Sequence, residues 1–343
     1  LDSLMSLNMA APVITSMSEF SVDENQTAIG TVTASDADGD SLAYSLSDGD
    51  TSTISIESSS GLLTFTEVPD YESKSSYSLT VSVTDGSNSV NQAIMITVND
   101  VNDPPYFTDW RDSNYELISG PSFVVDEGFD VNSYIGAFSP RDQDGDDFMF
   151  SISGDEIRID GYDKLYLVDS PDFEKKSLYE AVLTISDLDL TTTENITLTI
   201  RDIDDESPVF ISIATFSAAE NQTSIGTVMA TDVDSSSISF SVSGSELSIT
   251  SSGILSFVSA PDYETKSSYT ATVTASDGTN SATQNITVNV TNVNDNMPSI
   301  TSSSTFNANE NQTSIGTVTA TDADGDTLTY SLSGADASSM TIG

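Results

Sequence analysis

The sequence predicts an all-β chain built of tandem Greek-key β-sandwich repeats. Three observations carry this: short stretches that alternate apolar and polar residues, regular punctuation by Gly, Ser and Asp, and one framework of acidic motifs that recurs along 343 residues. Residues 76–83 and 93–98 alternate for most of their length, as do 268–273 and 285–290. A period of two sends one set of side chains into a core and the other into water. The turn dipeptide Asp48-Gly49 recurs as Asp85-Gly86 and Asp277-Gly278. No stretch shows helical periodicity, and seven or so short strands per roughly 100 residues fit a Greek-key sandwich.

The framework is used four times. Each copy opens on a glutamate, in Val22-Asp23-Glu24-Asn25, Val125-Asp126-Glu127-Gly128, Ala219-Glu220-Asn221 and Asn309-Glu310-Asn311. An acid-x-acid step follows at Asp36/Asp38, Asp142/Asp144, Asp232/Asp234 and Asp322/Asp324. Three copies continue with an acid-aromatic-acid triplet, Asp70-Tyr71-Glu72, Asp172-Phe173-Glu174 and Asp262-Tyr263-Glu264, then a single Asp at Asp85, Asp187 and Asp277. The same three close on linkers: Asp100-Val101-Asn102-Asp103-Pro104, Asp202-Ile203-Asp204-Asp205 and Asn292-Val293-Asn294-Asp295.

The expected organisation is an N-terminal segment (1–11), repeats over 12–103, 104–205 and 206–295, and a partial repeat over 296–343. The third and fourth copies keep a step of about 90 residues. The second carries extra residues around 110–121, including the single Trp110, where a loop or longer strand is expected. The fourth copy stops at Gly343, about halfway, so the expectation is either a piece of a longer array or a last repeat whose end is not seen.

Composition narrows the function. With nine Lys and Arg against 54 Asp and Glu, the net charge is −45, which excludes an electrostatic grip on nucleic acid or anionic lipid. The natural partners are cations. Cysteine and histidine are absent, so disulfides, thiolate or imidazole metal sites, and triads that use those residues are excluded. No apolar run is long enough for a membrane helix, so no direct membrane insertion is expected in this stretch; an export signal or anchor would lie outside it. At 37% hydrophobic residues the chain is nonetheless a folding one. Acids that recur at fixed places oppose folding unless something neutralises them, and calcium, which takes six to eight hard oxygen ligands, is the fitting ion.

The Glu near each repeat start, the acid-x-acid step, the triplet and the Asp-x-Asn-Asp linker together resemble the cadherin repeat, an immunoglobulin-like sandwich. The resemblance covers nearly the whole chain. It implies calcium ions, about three per junction, held where successive repeats meet. Carried over, the first junction takes Glu24, Asp70 and Glu72, then Val101 (by its carbonyl), Asn102 and Asp103, then Asp142, Asp144 and Asp187. The second takes Glu127, Asp172, Glu174, Ile203, Asp204, Asp205, Asp232, Asp234 and Asp277. The third takes Glu220, Asp262, Glu264, Val293, Asn294, Asp295, Asp322 and Asp324. Three departures stand out: Asp204 in place of Asn, Asn292 in place of Asp, and Tyr71, Phe173 and Tyr263 where the family has Arg. The last resembles bacterial or archaeal cadherin-like surface proteins. Asp36, Asp38 and Asp85 have no linker before them and expect either an upstream domain or a partial site.

Other readings of the same residues are weaker. Asp36 to Asp40 invites an EF-hand comparison, but the twelfth position is Ser47 and no helix flanks it. A carboxylate pair could hydrolyse a glycoside, yet every pair here repeats with the domain, as structural ligands do, so no enzyme is expected. Asn-x-Ser/Thr sequons occur at Asn25, Asn195, Asn221, Asn285, Asn289 and Asn311. The expected function is a calcium-binding extracellular or cell-surface stalk or adhesion protein, with homophilic, self-assembling or surface-glycan partners. The alternative is a subunit of a self-assembling filament or surface layer, with Met5, Leu7 and Met9 as a strand to donate.

Overall fold

The computed structural model describes residues 10–161 and 163–343, so Met5, Leu7 and Met9 lie outside the described residues. The chain divides into two compact units between Arg201 and Asp202. In the first unit, nine strands precede the first linker: β1 (Val13–Ile14), β2 (Glu19–Asp23), β3 (Ala28–Thr31), β4 (Ala34–Ser35), β5 (Ala43–Gly49), β6 (Ile54–Ile56), β7 (Leu62–Phe65), β8 (Ser76–Thr84) and β9 (Ser89–Asn99). They form a four-stranded sheet in the order β2-β9-β8-β5, a three-stranded sheet β3-β7-β6, and the pair β1-β4. Where alternation is cleanest the structure follows it. Leu79, Val81 and Val83 of β8 and Ile94, Ile96 and Val98 of β9 are buried, while Thr80 and Ser82 of β8 and Met95 and Thr97 of β9 alternate outward. They meet Leu63 and Phe65 of the opposite sheet in one core.

β2 lies parallel to β9, with Asp23 opposite Asn99. That pairing brings the glutamate after β2 to the start of the linker after β9. Asp48-Gly49 is not a hairpin turn. Both residues have positive φ, and the β5–β8 register slips there, so the dipeptide is a bulge. Gly61 is required for closeness as well as conformation: at φ +74, a Cβ would sit 2.2 Å from the Val32 carbonyl oxygen.

The second sandwich of this unit repeats the plan with β10 (Tyr106–Asp112), β11 (Leu117–Ile118), β12 (Ser122–Asp126), β13 (Tyr134–Arg141), β14 (Met149–Ile152), β15 (Ile157–Asp160), β16 (Lys164–Leu167), β17 (Leu178–Ser186) and β18 (Thr191–Arg201). The extra residues become both a longer first strand and a hairpin, widening one sheet to β11-β10-β13-β16-β15. Trp110 is buried against Phe107, Phe123 and Phe138.

The second unit contains β19 (Val209–Phe210), β20 (Thr215–Ala219), β21 (Ser224–Thr227), β22 (Ala230–Thr231), β23 (Ser239–Val242), β24 (Leu247–Ile249), β25 (Ile254–Phe257), β26 (Ser268–Ser276) and β27 (Ser281–Thr291), paired as in the first sandwich. Beyond them come only β28 (Ser299–Ile300), β29 (Ala320–Thr321) and a 3₁₀ turn at Ala337–Ser339. Phe306, Ile315 and Tyr330 stay exposed there, whereas their counterparts Ile29 and Tyr44 are buried.

One recurring clamp escaped the sequence reading. Lys74, Lys176 and Lys266 each lie over a tyrosine ring, Tyr77, Tyr179 and Tyr269, at 4.5, 4.6 and 4.3 Å. Each also pairs with an acid, Asp50, Glu156 or Glu246. Both contacts are partly exposed, so each adds only about 0.5–1 kcal/mol. Core burial dominates by comparison. Leu63 is fully buried, so Leu63→Ala is expected to cost about 2–5 kcal/mol in urea denaturation; a loss below half a kilocalorie would show that this core is loosely packed.

Candidate metal centre

In the three complete sandwiches the first glutamate is the most buried acid of its neighbourhood: Glu24 is 3% exposed, Glu127 5% and Glu220 3%, whereas Glu310 of the last copy is exposed. In the first unit, Glu24 follows the end of β2. Its Oε2 accepts from the Tyr71 amide at 2.7 Å and its Oε1 from the Val101 amide at 2.9 Å. One carboxylate therefore ties the β2 end, the triplet and the linker together. Glu220 does the same with Tyr263 and Val293, both at 2.7 Å. The Glu127 Oε2 accepts from the Phe173 amide at 2.9 Å. Asn25 and Asn221 turn the chain immediately afterwards, with φ of 62° and 64°.

These ties gather carboxylates. Oxygens of Glu24, Asp70 and Glu72 lie within 4.8 Å of one another, as do those of Glu72, Asp100 and Asp144. In the second unit the same holds for Glu220, Glu264, Asp295 and Asp324. Among the described residues no Lys or Arg forms an ion pair with any of these acids. Two charges at that range repel by about 3 kcal/mol at an effective dielectric near 20, which is more than a surface lysine could return.

The acid-x-acid step presents its oxygens in a fixed way. Asp144 Oδ2 accepts from the Asp103 amide at 2.7 Å, and Asp142 Oδ1 from the Gly145 amide at 3.0 Å. Their other oxygens, Asp142 Oδ2 and Asp144 Oδ1, are buried and have no hydrogen-bond partner. In the second unit Asp234 Oδ2 accepts from the Glu206 amide at 2.7 Å, Asp232 Oδ1 from the Asp234 amide at 3.0 Å, and Asp277 Oδ1 from the Asn280 amide at 2.6 Å. Again the second oxygen of each, with Asp204 Oδ1, is buried without a partner. Buried lone pairs left unmet cost free energy. An oxygen-rich pocket whose carboxylates are oriented by backbone donors and still lack a counter-charge has the donor set of a calcium site.

Asp187 is buried. Its Oδ1 accepts from the Asp189 and Leu190 amides at 2.8 and 2.6 Å, and its Oδ2 from Asn102 Nδ2 at 3.0 Å. The Leu190 amide bond leads in holding its carboxyl below the usual range. The loop requires a left-handed residue. Gly86 and Gly278 supply it at φ 96° and 116°, but here Leu188 takes φ 94°, a strained position for a side chain. Asp70 Oδ1 caps the Ser73 amide, and Asp262 Oδ1 the Thr265 amide. Asp322 Oδ1 accepts from the Asp324 amide.

The set expected for the second junction is divided between the units: Glu127, Asp172 and Glu174 in the first, and Ile203, Asp204, Asp205, Asp232, Asp234 and Asp277 in the second. Asp172 Oδ1 accepts from the Lys175 amide at 2.9 Å, and Asp172 also pairs with the Lys175 ammonium. The Asn280 side chain donates to the Asp204 carbonyl at 3.1 Å. Ahead of the first sandwich, Asp36, Asp38 and Asp40 converge within 4.8 Å. There the Ala10 amide donates to Asp38 Oδ2 at 3.0 Å, where the later repeats use linker amides.

Four participants were missed. Asp100 opens the linker and joins Glu72 and Asp144, while its counterpart Asn292 donates instead to the Asp324 carbonyl at 2.9 Å. Asn296 reaches Glu264 and Asp324 at 3.2 Å, and Asp326 accepts from Asn294. Asp146 is the fourth, beside Asp142 and Asp144. The signal available for Asp146 and Asp326 was the third acid of Asp-x-Asp-Gly-Asp, shared with Asp40.

Crowding shows in the protonation equilibria. Burial, joined by the charges of Glu24, Asp144 and Asp100, raises Glu72; burial, joined by Glu220, Asp324 and Asp262, raises Glu264. Asp100 and Asp103 are raised for the same leading reason. Between neutral pH and the ordinary carboxylate range near about 4, the folded chain then binds more protons than the unfolded one. Without metal, its stability therefore rises as pH falls through that window. At lower pH the sign reverses, as Asp50, held down chiefly by Lys74, Asp172, held down chiefly by Lys175, and Asp187 become protonated. Thermal midpoints in chelator should peak at mildly acidic pH; a monotonic fall from pH 7 downward would contradict this account of the clusters.

Comparison with known proteins gives a consistent assignment. Residues 18–99 match the family model "Cadherin domain". Human protocadherin gamma-A2 is 30% identical over 339 residues, covering 87% of this chain and 36% of that protein. Mouse protocadherin Fat 4 is 30% identical over 237 residues, covering 64% of this chain and 5% of its own length. The chain thus spans far less than two thirds of either. Among solved structures, protocadherin gamma B2 extracellular cadherin domains 3–6 superpose with a TM-score of 0.64 at 24% identity, covering 91% of this chain and 83% of that one. Mouse cadherin-23 EC22–24 gives 0.56 at 21%, covering 83% of this chain and all of that one. With residues 18–99 matching the domain model directly and two further sandwiches of the same strand plan following, residues 18–99 belong to the cadherin domain family and the chain has a tandem cadherin repeat structure.

Proposed function

We propose that this chain is part of an extracellular adhesion or stalk protein whose repeats, bounded at 12–103, 104–205, 206–295 and 296–343, bind calcium at their junctions and are stiffened by it. The observation that carries the reading is the set of buried carboxylate oxygens with no partner beside clusters that no Lys or Arg neutralises. Glu24, Asp70, Glu72, Asn102, Asp103, Asp142, Asp144 and Asp187 would hold ions at the first junction, with Asp100 added; the second and third sets follow the same plan, at about three ions each. Calcium supplies charge neutralisation and a shared anchor for oxygens from successive repeats. Glu24 and Glu220 organise the pocket by holding triplet and linker amides, and the acid-x-acid turns present a lone pair from the following repeat.

Sites of extracellular type bind at about 10⁻⁴ to 10⁻³ M, so a saturating concentration near 100 Kd would stabilise the fold by about 2.7 kcal/mol per site. The reading includes no catalysis; the partner would be a like protein or a surface glycan. The affiliation with bacterial or archaeal surface proteins rests on Tyr71, Phe173 and Tyr263 alone, and the genomic neighbourhood of the coding sequence tests it.

Calcium is expected to raise the thermal midpoint and to restrict the range of dimensions in small-angle scattering; identical scattering in calcium and in chelator would refute stiffening. Glu24→Ala removes two charge-assisted hydrogen bonds, each worth about 1.5–3 kcal/mol. It should destabilise the calcium-loaded protein by about 3 kcal/mol or more, and the metal-free protein by less, because one repelling charge goes with it. Equal losses in both states, read by urea denaturation, would remove Glu24 from the metal centre.

A further inference from the structure

Six sequons remain unused by this function; the structure separates five of them into two kinds, and the sixth, Asn311, is an exposed left-handed turn residue of the last, partial copy. Asn25 and Asn221 sit at left-handed turns beside the linkers. Their Nδ2 atoms are committed, donating to Asp103 Oδ1 at 3.1 Å and Asp295 Oδ2 at 2.5 Å. Asn195 lies in the middle of β18, and Asn285 and Asn289 lie in β27; all three are exposed. The strand period explains their presentation. Ile196, Ile286 and Val290 point into the core at 0–4% exposure, leaving each Asn and the hydroxyl of its Thr two residues on, Thr197, Thr287 or Thr291, on the outer face.

That face is free of charge around β27, although the chain carries −45 overall. Across the ladder, Asn285 faces Thr272, and Asn289 faces Ser268 and Ser217. Asn285 Oδ1 accepts the Thr272 hydroxyl at 2.8 Å, which fixes the amide while its Nδ2 donates to no protein acceptor. Four strand positions separate the two asparagines by about 13 Å, leaving room for a glycan on each.

We propose that Asn195, Asn285 and Asn289 are N-glycosylation sites, and that Asn25 and Asn221 are not. The donor is a polyprenyl diphosphate-linked oligosaccharide. Asn Nδ2 forms a bond to the sugar C1 as the C1–O bond to the diphosphate breaks. The diphosphate leaves with the electron pair, and the amide gives one proton to the transferase's base. A glycan on Asn25 or Asn221 would leave that amide a single hydrogen and place a sugar against the acidic cluster beside the linker, which is incompatible with the contact to Asp103 or Asp295 that the folded chain makes.

The assignment rests on the extracellular reading. Directing the chain through a eukaryotic secretory pathway fixes its location, and calcium response is measured separately, so failure of either reading is distinguishable. The secreted, calcium-loaded protein is treated with peptide N-glycosidase in ¹⁸O water and mapped by mass spectrometry. Labelled Asp is expected at 195, 285 and 289 and is not expected at 25 or 221. Unmodified peptides at the three strand sites, or label at Asn25 or Asn221, would overturn the proposal. Should secretion be poor, gel mobility of cell-associated protein with and without the glycosidase gives a second reading. The shift should vanish in the combined N195Q/N285Q/N289Q/N311Q variant; a shift that persists there overturns the proposal equally.

Discussion

One buried glutamate in each of the three complete sandwiches, accepting backbone amides from stretches far apart in sequence, is the constraint on which the rest of the architecture depends. Glu24 meets Tyr71 across 47 positions and Val101 across 77. Neither contact is available until β2 has paired with β9 in parallel and the two sheets have closed over Leu63, Val81 and Ile96. Burying a carboxylate is costly unless its hydrogen bonds are met. The fold meets them with main-chain donors, which leaves the remaining lone pairs facing other acids.

Charge in this molecule is sorted by place. Apart from Ala271, the exposed and half-buried positions of β8 and β26 carry only hydroxyl-bearing and aromatic side chains, while acids collect at the ends of the sandwiches. The few lysines are placed with equal economy. Lys74, Lys176 and Lys266 occupy equivalent positions, each between an aromatic ring and an acid and away from the acidic clusters. The clusters are thus left without a lysine or arginine counter-charge among the described residues.

The copies are not equivalent. The second departs from the others in its hairpin around Trp110, in Leu188 where its neighbours have glycine, and in Leu190 where they have Asn88 and Asn280. Asn280 clamps a linker carbonyl. Leucine has no donor to do so, and the first linker is held instead through Asn102 to Asp187. The third linker substitutes Asn292 for Asp100, exchanging a carboxylate for an amide that binds main chain. Each junction is therefore tuned by one or two side chains within a common backbone plan.

Sequence by itself determined the strand character of β8, β9, β26 and β27, because alternation with period two is a local property, and it marked the acids, because their spacing recurs from copy to copy. It could not show that Asp48-Gly49 is a bulge, which depends on β8 passing within 2.1 Å of where a Cβ would lie. Nor could it show the lysine clamps, whose acid partners are 20 to 24 residues away. Tertiary structure alone decided which oxygens are spent on backbone amides and which remain buried without a partner. That distinction arises when β2 docks beside β9 and carries the first glutamate to the linker, a contact between residues too far apart for any local pattern to encode.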